Sequence, residues 1–178
     1  MGRYNSNKLS SKYVQDYMKN RLWERDKDQY VPLLNVRSLG SKGKSNRILG
    51  WKTGREHHFL SKLEYAAFYY FEWSEEVIDI KEQYPLLPIE QLQNIALETR
   101  IKYPNFKGED IIMTTDFLIT TREKGKINYY ARTLKPDTNL PNQRTMEKFE
   151  IEKRFFNAKN IDWAIITGKD LSDVFINN

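Results

Sequence analysis

The spacing of hydrophobic positions along the chain predicts a mixed α/β fold. Between Ser10 and Asp26, apolar and aromatic residues recur every three or four positions, as on one face of an amphipathic helix. A second helix is predicted after Ser61, because a serine followed three positions later by Glu64 is the sequence pattern of a helix N-terminus. Residues 77–84 then alternate between apolar and polar positions, which predicts a half-buried strand.

The second half of the chain predicts a hairpin, a helix and a further strand. Residues 110–121 and 127–135 are rich in β-branched and aromatic residues, and Gly125 between them marks a turn. The remaining segments are a helix over 141–159, a buried strand over 161–167 and a short helix over 170–175. We therefore predict a basic helical extension over residues 1–29 and one α/β domain over residues 30–178.

Composition excludes several classes of protein. The chain has no cysteine, so it has neither disulfides nor thiolate metal sites. Its two histidines are adjacent, and neighbouring residues of a strand point to opposite faces, which argues against a histidine-based metal site. No apolar run is long enough to span a membrane and no secretory signal is present, so we expect a cytoplasmic protein.

Positive charge is concentrated in the first third of the chain. Residues 1–64 carry 14 Lys and Arg against 6 Asp and Glu, whereas the whole chain has a net charge of only +5. This asymmetry predicts a polyanionic partner such as double-stranded DNA, although a solvated surface gives the same pattern. The predicted contacts to the DNA backbone are Lys42, Lys44, Arg47, Lys52, Arg55 and His58.

Three residues are unusual if the sequence serves folding alone. Asp116 interrupts a run of strong β-formers, and Lys135 ends the partner strand of the predicted hairpin. Glu64, in the first turn of a helix, is a third group that can reach the same point. Two carboxylates and a lysine can hold Mg²⁺ and stabilise a phosphate undergoing hydrolysis. Alternatively, Glu64 complements the helix dipole and the other two residues are ordinary surface groups.

A longer resemblance favours the nuclease interpretation. The segments KTGREHHFLSKLEYAAFYYFEW, VIDIKEQYPLLP, MTTDFLIT, LKP, RTMEKFEIEKRFF and IDWAIITGKD resemble the catalytic domain of the TnsA family, in its order and nearly its spacing. The resemblance implies a restriction-endonuclease-like fold, a mixed sheet flanked by helices, over residues 30–178. It places the family's catalytic residues on Glu64, Asp116 and Lys135. The implied cofactor is Mg²⁺, with Mn²⁺ as a substitute.

The resemblance also identifies one departure from the family pattern. The family has a glutamine two residues before the lysine, where this chain has Thr133. We expect Glu64, Asp116 and the carbonyl of Leu134 to hold the metal, with Thr133 acting through water. A second metal would therefore bind more weakly. Glu152 and Gln83 are further side chains that can support the site, although each has an ordinary structural role as the alternative.

The resemblance implies the role of the protein as well. Members of the family cleave the 5′ strands at the ends of a mobile element, together with a TnsB-like DDE transposase and a TnsC-like AAA+ regulator. They usually continue into a C-terminal helical domain that contacts the regulator, so this sequence is either a short form or the catalytic part of a longer chain. Two alternatives remain open: a stand-alone phage or restriction nuclease of this fold, and an architectural subunit that has lost cleavage. Trp51, Trp73 and Trp163 are expected in the core, and Trp23 at an interface.

Overall fold

The computed structural model describes residues 11–35, 46–136 and 142–171. Lys42, Lys44 and most of the predicted C-terminal helix lie outside the described residues. The helices are α1 (Ser11–Lys19), α2 (Lys62–Trp73), α3 (Ile89–Glu98) and α4 (Gln143–Asn157). The strands are β1 (Asn46–Leu49), β2 (Glu56–Phe59), β3 (Val77–Pro85), β4 (Asn105–Phe106), β5 (Glu109–Asp110), β6 (Thr114–Glu123), β7 (Lys126–Lys135) and β8 (Asp162–Thr167).

A four-stranded mixed sheet in the order β3-β6-β7-β8 forms the centre of the domain. The strands β6 and β7 are the predicted hairpin, and they join through Lys124 and Gly125, both of which have positive φ. This backbone matches the twist of a two-residue hairpin turn. The strands β7 and β8 pair in parallel, and the connection that this requires contains α4. The mixed α/β prediction is confirmed.

Helices cover the sheet on its two faces. On one face, residues of α2 and of the small β1–β2 sheet pack on β3 and β6 in a cluster that includes Phe59, Phe68, Ile80 and Phe117. On the other face, α3 and α4 pack on the sheet in a cluster that includes Leu92, Leu118, Ala131, Ile151 and Phe155. Each face thus has its own aromatic and aliphatic core.

The predicted N-terminal helix is shorter than its sequence pattern. It ends at Lys19, because Arg21 has a positive φ of 46° and the chain then continues in turns. Its buried Tyr17 packs with Leu33 and Ile112, so the helix contacts the rest of the domain. Trp23 stacks on Tyr17, with 5.8 Å between the ring centroids. The boundary at residues 29 and 30 stays a prediction.

Two predictions of burial were wrong, and one was too strong. Trp51 and Trp73 are 63% and 66% exposed and meet edge to face, at the tip of the β1–β2 sheet and the end of α2. Both are hydrophobic, but neither position faces the sheet. The strand β8 is half-buried rather than buried, because it lies at the edge of the sheet. In the part of the chain that the structure describes, no helix is both long enough and apolar enough to cross a membrane.

Candidate active site

Glu64 is held at the start of α2 by its own helix cap. Ser61 is the N-cap residue, and its hydroxyl accepts a hydrogen bond from the Glu64 N–H at 3.1 Å. The same hydroxyl donates to Glu64 Oε1 at 2.8 Å, and the Leu60 N–H donates to Oε2 at 3.0 Å. The predicted cap is therefore confirmed. It fixes a buried carboxylate instead of leaving it in solvent.

Asp116 lies on β6, at a point where the sheet ladder is interrupted. The backbone N–H of Leu134, on β7, donates to Asp116 Oδ2 at 2.7 Å. The pairs Glu82–Phe117 and Tyr84–Thr115 flank the point at which Gln83 of β3 faces Asp116. The hairpin thus brings Asp116 beside the end of β7, as the sequence predicted.

The side chain of Gln83 joins the two acids. Its amide Nε2 lies 3.3 Å from Glu64 Oε2 and 3.3 Å from Asp116 Oδ1. The structure therefore brings Glu64 and Asp116 together, although 52 positions of the sequence separate them. Gln83 is itself buried, and its φ of 48° lies in the left-handed region that residues other than glycine rarely adopt.

Both carboxyls of the pair bind their protons more tightly than usual. Burial raises the pKa of Glu64 to about 8, with a further contribution from the nearby charge of Asp116. Burial also raises the pKa of Asp116, against the hydrogen bond from Leu134 and the positive charge of Lys135. The protein has thus placed two acids where their negative charge is incompletely balanced.

Lys135 ends β7, close enough for its charge to act on Asp116. Its Nζ lies 5.4 Å from the centre of the Phe149 ring of α4. The side chain of Leu134 is buried in the core shared with α2, so only its backbone takes part in the site. Lys135 and Glu64 therefore approach Asp116 from different elements.

Thr133 belongs to a neighbouring buried cluster. Its hydroxyl donates to Glu152 Oε1 of α4 at 2.5 Å, and the Trp163 indole N–H donates to that hydroxyl at 3.3 Å. The Thr115 hydroxyl lies 3.4 Å from it. Burial raises the pKa of Glu152 to about 7. Sequence reasoning did not predict that Thr115 belongs to this cluster. The one signal for it was its position next to the candidate aspartate, Asp116.

The donor set of the site fits a hard divalent cation. Mg²⁺ prefers oxygen ligands and keeps several waters, so it needs only one or two carboxylates from the protein. Glu64 and Asp116 offer those carboxylates, and the nearby charge of Lys135 does not bring their pKa values down to the usual range. Among the described residues, no group of three acidic or histidine side chains forms a larger metal site. The pair therefore fits one Mg²⁺ better than a closed cage of protein ligands.

The predicted DNA contacts divide into exposed and buried residues. Arg47 is exposed on β1 and pairs loosely with Glu56, at 3.4 Å. Lys52, at the turn that follows β1, is half-buried, and its backbone N–H bonds to Glu72. His58 lies on β2 with its side chain 3.6 Å from Glu56. These three remain predicted DNA contacts.

Arg55, the remaining predicted DNA contact among the described residues, lies in a different environment. Its side chain is buried, and its guanidinium donates twice to Glu82 of β3, at 2.9 and 2.5 Å. His57 Nδ1 lies 2.9 Å from the same carboxylate, and Tyr30 donates to the Glu82 backbone carbonyl. Arg55 is therefore committed to an internal ion pair. The signal that sequence reasoning missed was Glu82, an acid two positions after the apolar Ile80 in an alternating strand.

Comparison with known proteins identifies the family. The family described as TnsA-like endonuclease N terminal matches residues 74–168, more than half of the chain. The chain belongs to the TnsA-like endonuclease family. The restriction-endonuclease-like fold class and the predicted resemblance are confirmed. The matched range includes Asp116 and Lys135, whereas Glu64 precedes it.

A curated relative extends the similarity. Transposon Tn7 transposition protein TnsA of Escherichia coli is 44% identical over 149 residues, which cover 84% of this chain and 54% of that protein. The chain thus spans about half the length of this TnsA relative. The similarity covers most of the described domain, so the site lies in the part of the chain that the two proteins share.

Proposed function

We propose that this chain is the DNA endonuclease subunit of a TnsA-type transposase. The proposal rests above all on the convergence of Glu64 and Asp116, which arrive from a helix and a strand and meet at one buried point beside Lys135. The family and the TnsA relative support the same activity. The reaction is hydrolysis of a phosphodiester in double-stranded DNA.

Each residue of the site has a distinct task in this reaction. Glu64 and Asp116 hold Mg²⁺, or Mn²⁺ in its place, together with the Leu134 backbone carbonyl. When bound, the cation neutralises charge on the phosphate and lowers the pKa of a water. Lys135 places its ammonium group beside Asp116, where it orients the attacking water and stabilises the negative phosphate. The Ser61 and Leu60 hydrogen bonds keep the Glu64 carboxylate turned towards Asp116.

Thr133 does not contribute a direct metal ligand in this proposal. Its hydroxyl is engaged with Glu152 and Trp163, so it acts on the site only through water. One cation held by Glu64 and Asp116 is therefore the main metal, and a second binds weakly. Glu152 supports Thr133 from α4.

The substrate and partners follow from the family. We propose that the chain cleaves the 5′ strands at the ends of a mobile element, with a TnsB-like transposase supplying recognition of those ends and a TnsC-like AAA+ protein supplying regulation. Arg47, Lys52 and His58 contact the DNA backbone, and so do Lys42 and Lys44, which precede β1 in the sequence. Such contacts carry little base specificity. The reaction takes place in the cytoplasm, where the element's DNA lies.

The decisive experiment is cleavage of an element-end duplex with Mg²⁺ or Mn²⁺, in the presence of the transposase partner. Asp116→Asn should lower the rate by about 10³-fold or more, because it removes the charge of a metal ligand without changing the size of the side chain. Asp110→Asn, a matched change at an exposed aspartate of β5, should cleave like the wild type. Equal rates for the wild type and Asp116→Asn would rule out this active site.

A matched pair on β7 tests the lysine. Lys135→Met should lose cleavage while retaining DNA binding, whereas Lys126→Met at the exposed far end of the same strand should retain both. If cleavage needs no transposase partner, the stand-alone nuclease becomes the better description. If the wild type does not cleave under any of these conditions, the architectural alternative replaces the enzymatic one.

A further inference from the structure

Gln83 reaches the site only because the backbone of β3 is locally distorted. In a regular strand, consecutive side chains point to opposite faces of the sheet. Here Glu82 and Gln83 are both buried, and the Gln83 φ of 48° breaks the alternation. Residues other than glycine adopt this region only at an energetic cost, and such residues cluster at functional sites. Glu82 bonds Arg55, while Gln83 turns to Glu64 and Asp116.

The amide of Gln83 suits the gap between two carboxylates. Its NH₂ group has two hydrogens, one for each acid, and the nitrogen lies 3.3 Å from an oxygen of each. Its oxygen accepts from the Thr114 hydroxyl at 3.4 Å. This donor favours the observed orientation of the amide. With the amide reversed, its oxygen would face one oxygen of Glu64 and one of Asp116, and the three would repel one another. The amide therefore attracts both carboxylates to one point.

A neutral donor draws the acids together without replacing a cation. Glu64 and Asp116 repel each other when both are ionised, and burial strengthens this repulsion. Every oxygen of the Glu64 carboxylate accepts from Leu60, Ser61 or Gln83, whereas Asp116 Oδ1 accepts from Gln83. Without the amide, nothing among these hydrogen bonds links one carboxylate to the other.

We propose that Gln83 is a positioning residue that holds Glu64 and Asp116 as a preformed pair and thereby sets the affinity of the site for a divalent cation. The proposal rests on the proposed function only in assigning the cation to this pair. Gln83 acts on the metal through the two carboxylates, and its substitution changes metal binding more than the rate at saturating metal. Residues that orient metal ligands typically change metal affinity by about 10–100-fold when they are replaced.

The test compares two substitutions with a matched control. Gln83→Met keeps the length of the side chain and removes the amide. Gln83→Gly also removes the amide but accepts the left-handed backbone, so it remains informative if the methionine variant folds poorly. Gln93→Met is the control. It removes another hydrogen bond from a side-chain amide to a carboxylate, the one that Gln93 donates to Asp110 at 2.6 Å, outside the site.

The measurement is titration calorimetry with Mn²⁺ alone on the full chain, followed by cleavage rates across a range of Mn²⁺. We expect Gln83→Met and Gln83→Gly to bind Mn²⁺ about ten-fold more weakly than the wild type or Gln93→Met. Cleavage should recover towards the wild-type rate at high Mn²⁺. A role in folding alone predicts unchanged Mn²⁺ affinity in the folded variants.

Three results would overturn the proposal. The first is unchanged Mn²⁺ affinity in both Gln83 variants. The second is tighter Mn²⁺ binding in these variants, which would make the amide a competitor of the cation. The third is a wild type that does not bind Mn²⁺. Failure of the nuclease assignment is distinguishable from all three. In that case the wild type and the Gln83 variants still differ in Mn²⁺ affinity, but no protein cleaves DNA.

Discussion

Two buried acidic clusters meet at neighbouring residues of β3, Glu82 and Gln83, and their charges are balanced to different degrees. In one, Glu82 is paired with the Arg55 guanidinium and the His57 ring. In the other, Glu64 and Asp116 share the neutral amide of Gln83, and Lys135 acts on Asp116 from the end of β7. Burial alone would raise the pKa of Glu82, but Arg55 and His57 hold it well below its usual value. The pKa values of Glu64 and Asp116 are raised instead.

Under the proposed function, the difference separates a structural cluster from a metal-binding one. The charge of Glu82 is compensated by the protein itself, so this cluster fastens the β1–β2 sheet to β3 and needs no ligand. Lys135 compensates the charge of the Glu64 and Asp116 pair only in part, because the pKa of both carboxyls stays raised. Under the proposed function the pair therefore gains from a cation supplied from outside. Burial of a single acid therefore does not favour a metal site; two acids at one buried point, both with a raised pKa, do.

The largest expected effect comes from breaking the compensated cluster. Arg55→Met leaves Glu82 buried without its main partner, and such a loss typically costs about 3–5 kcal/mol of unfolding free energy. Urea denaturation at neutral pH measures this cost. Arg47→Met is the matched control, because Arg47 forms an exposed pair with Glu56 that contributes about 0–1 kcal/mol. Similar losses of unfolding free energy in the two variants would contradict a structural role for the buried Arg55–Glu82 pair.

A smaller effect on the unfolding free energy, with a distinctive pH dependence, is expected from the Glu64 and Asp116 pair. The pKa of Glu64 rises from 4.5 to about 8 on folding, so the folded protein binds this proton more tightly than the unfolded chain. The resulting stability is fully present below pH 4.5 and is lost as the pH rises through about 8. Without added metal, the wild type should therefore lose unfolding free energy across this range.

Glu64→Gln should flatten this pH profile. At pH 8 the metal-free variant should exceed the wild type by at least about 1.4 kcal/mol, the equivalent of one pKa unit. Glu98→Gln, on the exposed side of α3, controls for the loss of one carboxylate. Glu82 contributes in the opposite direction, because its lowered pKa stabilises the fold above its ordinary pKa and that contribution is lost in acid. A profile of Glu64→Gln as steep as that of the wild type would contradict the raised pKa.

The smallest expected effect concerns DNA binding. Arg47 and Lys52 are accessible to a phosphate, whereas Arg55 is committed to Glu82. Lys52→Ala should therefore weaken DNA binding a few-fold and reduce the slope of log affinity against log salt by about one. Fluorescence anisotropy with duplex DNA at several salt concentrations measures both quantities. An unchanged slope would remove Lys52 from the predicted contacts.

The parts of the site that local sequence patterns specify could be predicted. The Ser61 and Glu64 spacing predicted the cap that holds Glu64, and the β-rich runs around Gly125 predicted the hairpin that brings Asp116 beside Leu134 and Lys135. Each pattern involves residues close in sequence, or strands joined by a short turn. Their interactions can therefore be predicted from the order of residues along the chain.

The parts that depend on distant partners could not be predicted. Arg55 looked like a DNA contact because its partner Glu82 lies 27 positions away on another strand. Hydrophobicity alone predicts Trp51 and Trp73 in the core, but both are exposed where an element ends. The left-handed backbone of Gln83 has no local signal, since glutamine is not typical of that region.

The indole of Trp163 gives the protein an intrinsic optical reporter. Its N–H bonds the Thr133 hydroxyl, which in turn bonds Glu152, within the cluster next to Asp116. Indole emission responds to the polarity and charge around the ring, and Trp51 and Trp73 are exposed at the far end of α2. Replacing Trp23, Trp51 and Trp73 with phenylalanine leaves Trp163 as the one tryptophan, so changes in emission on adding a divalent cation follow the surroundings of β7 and α4 without any label.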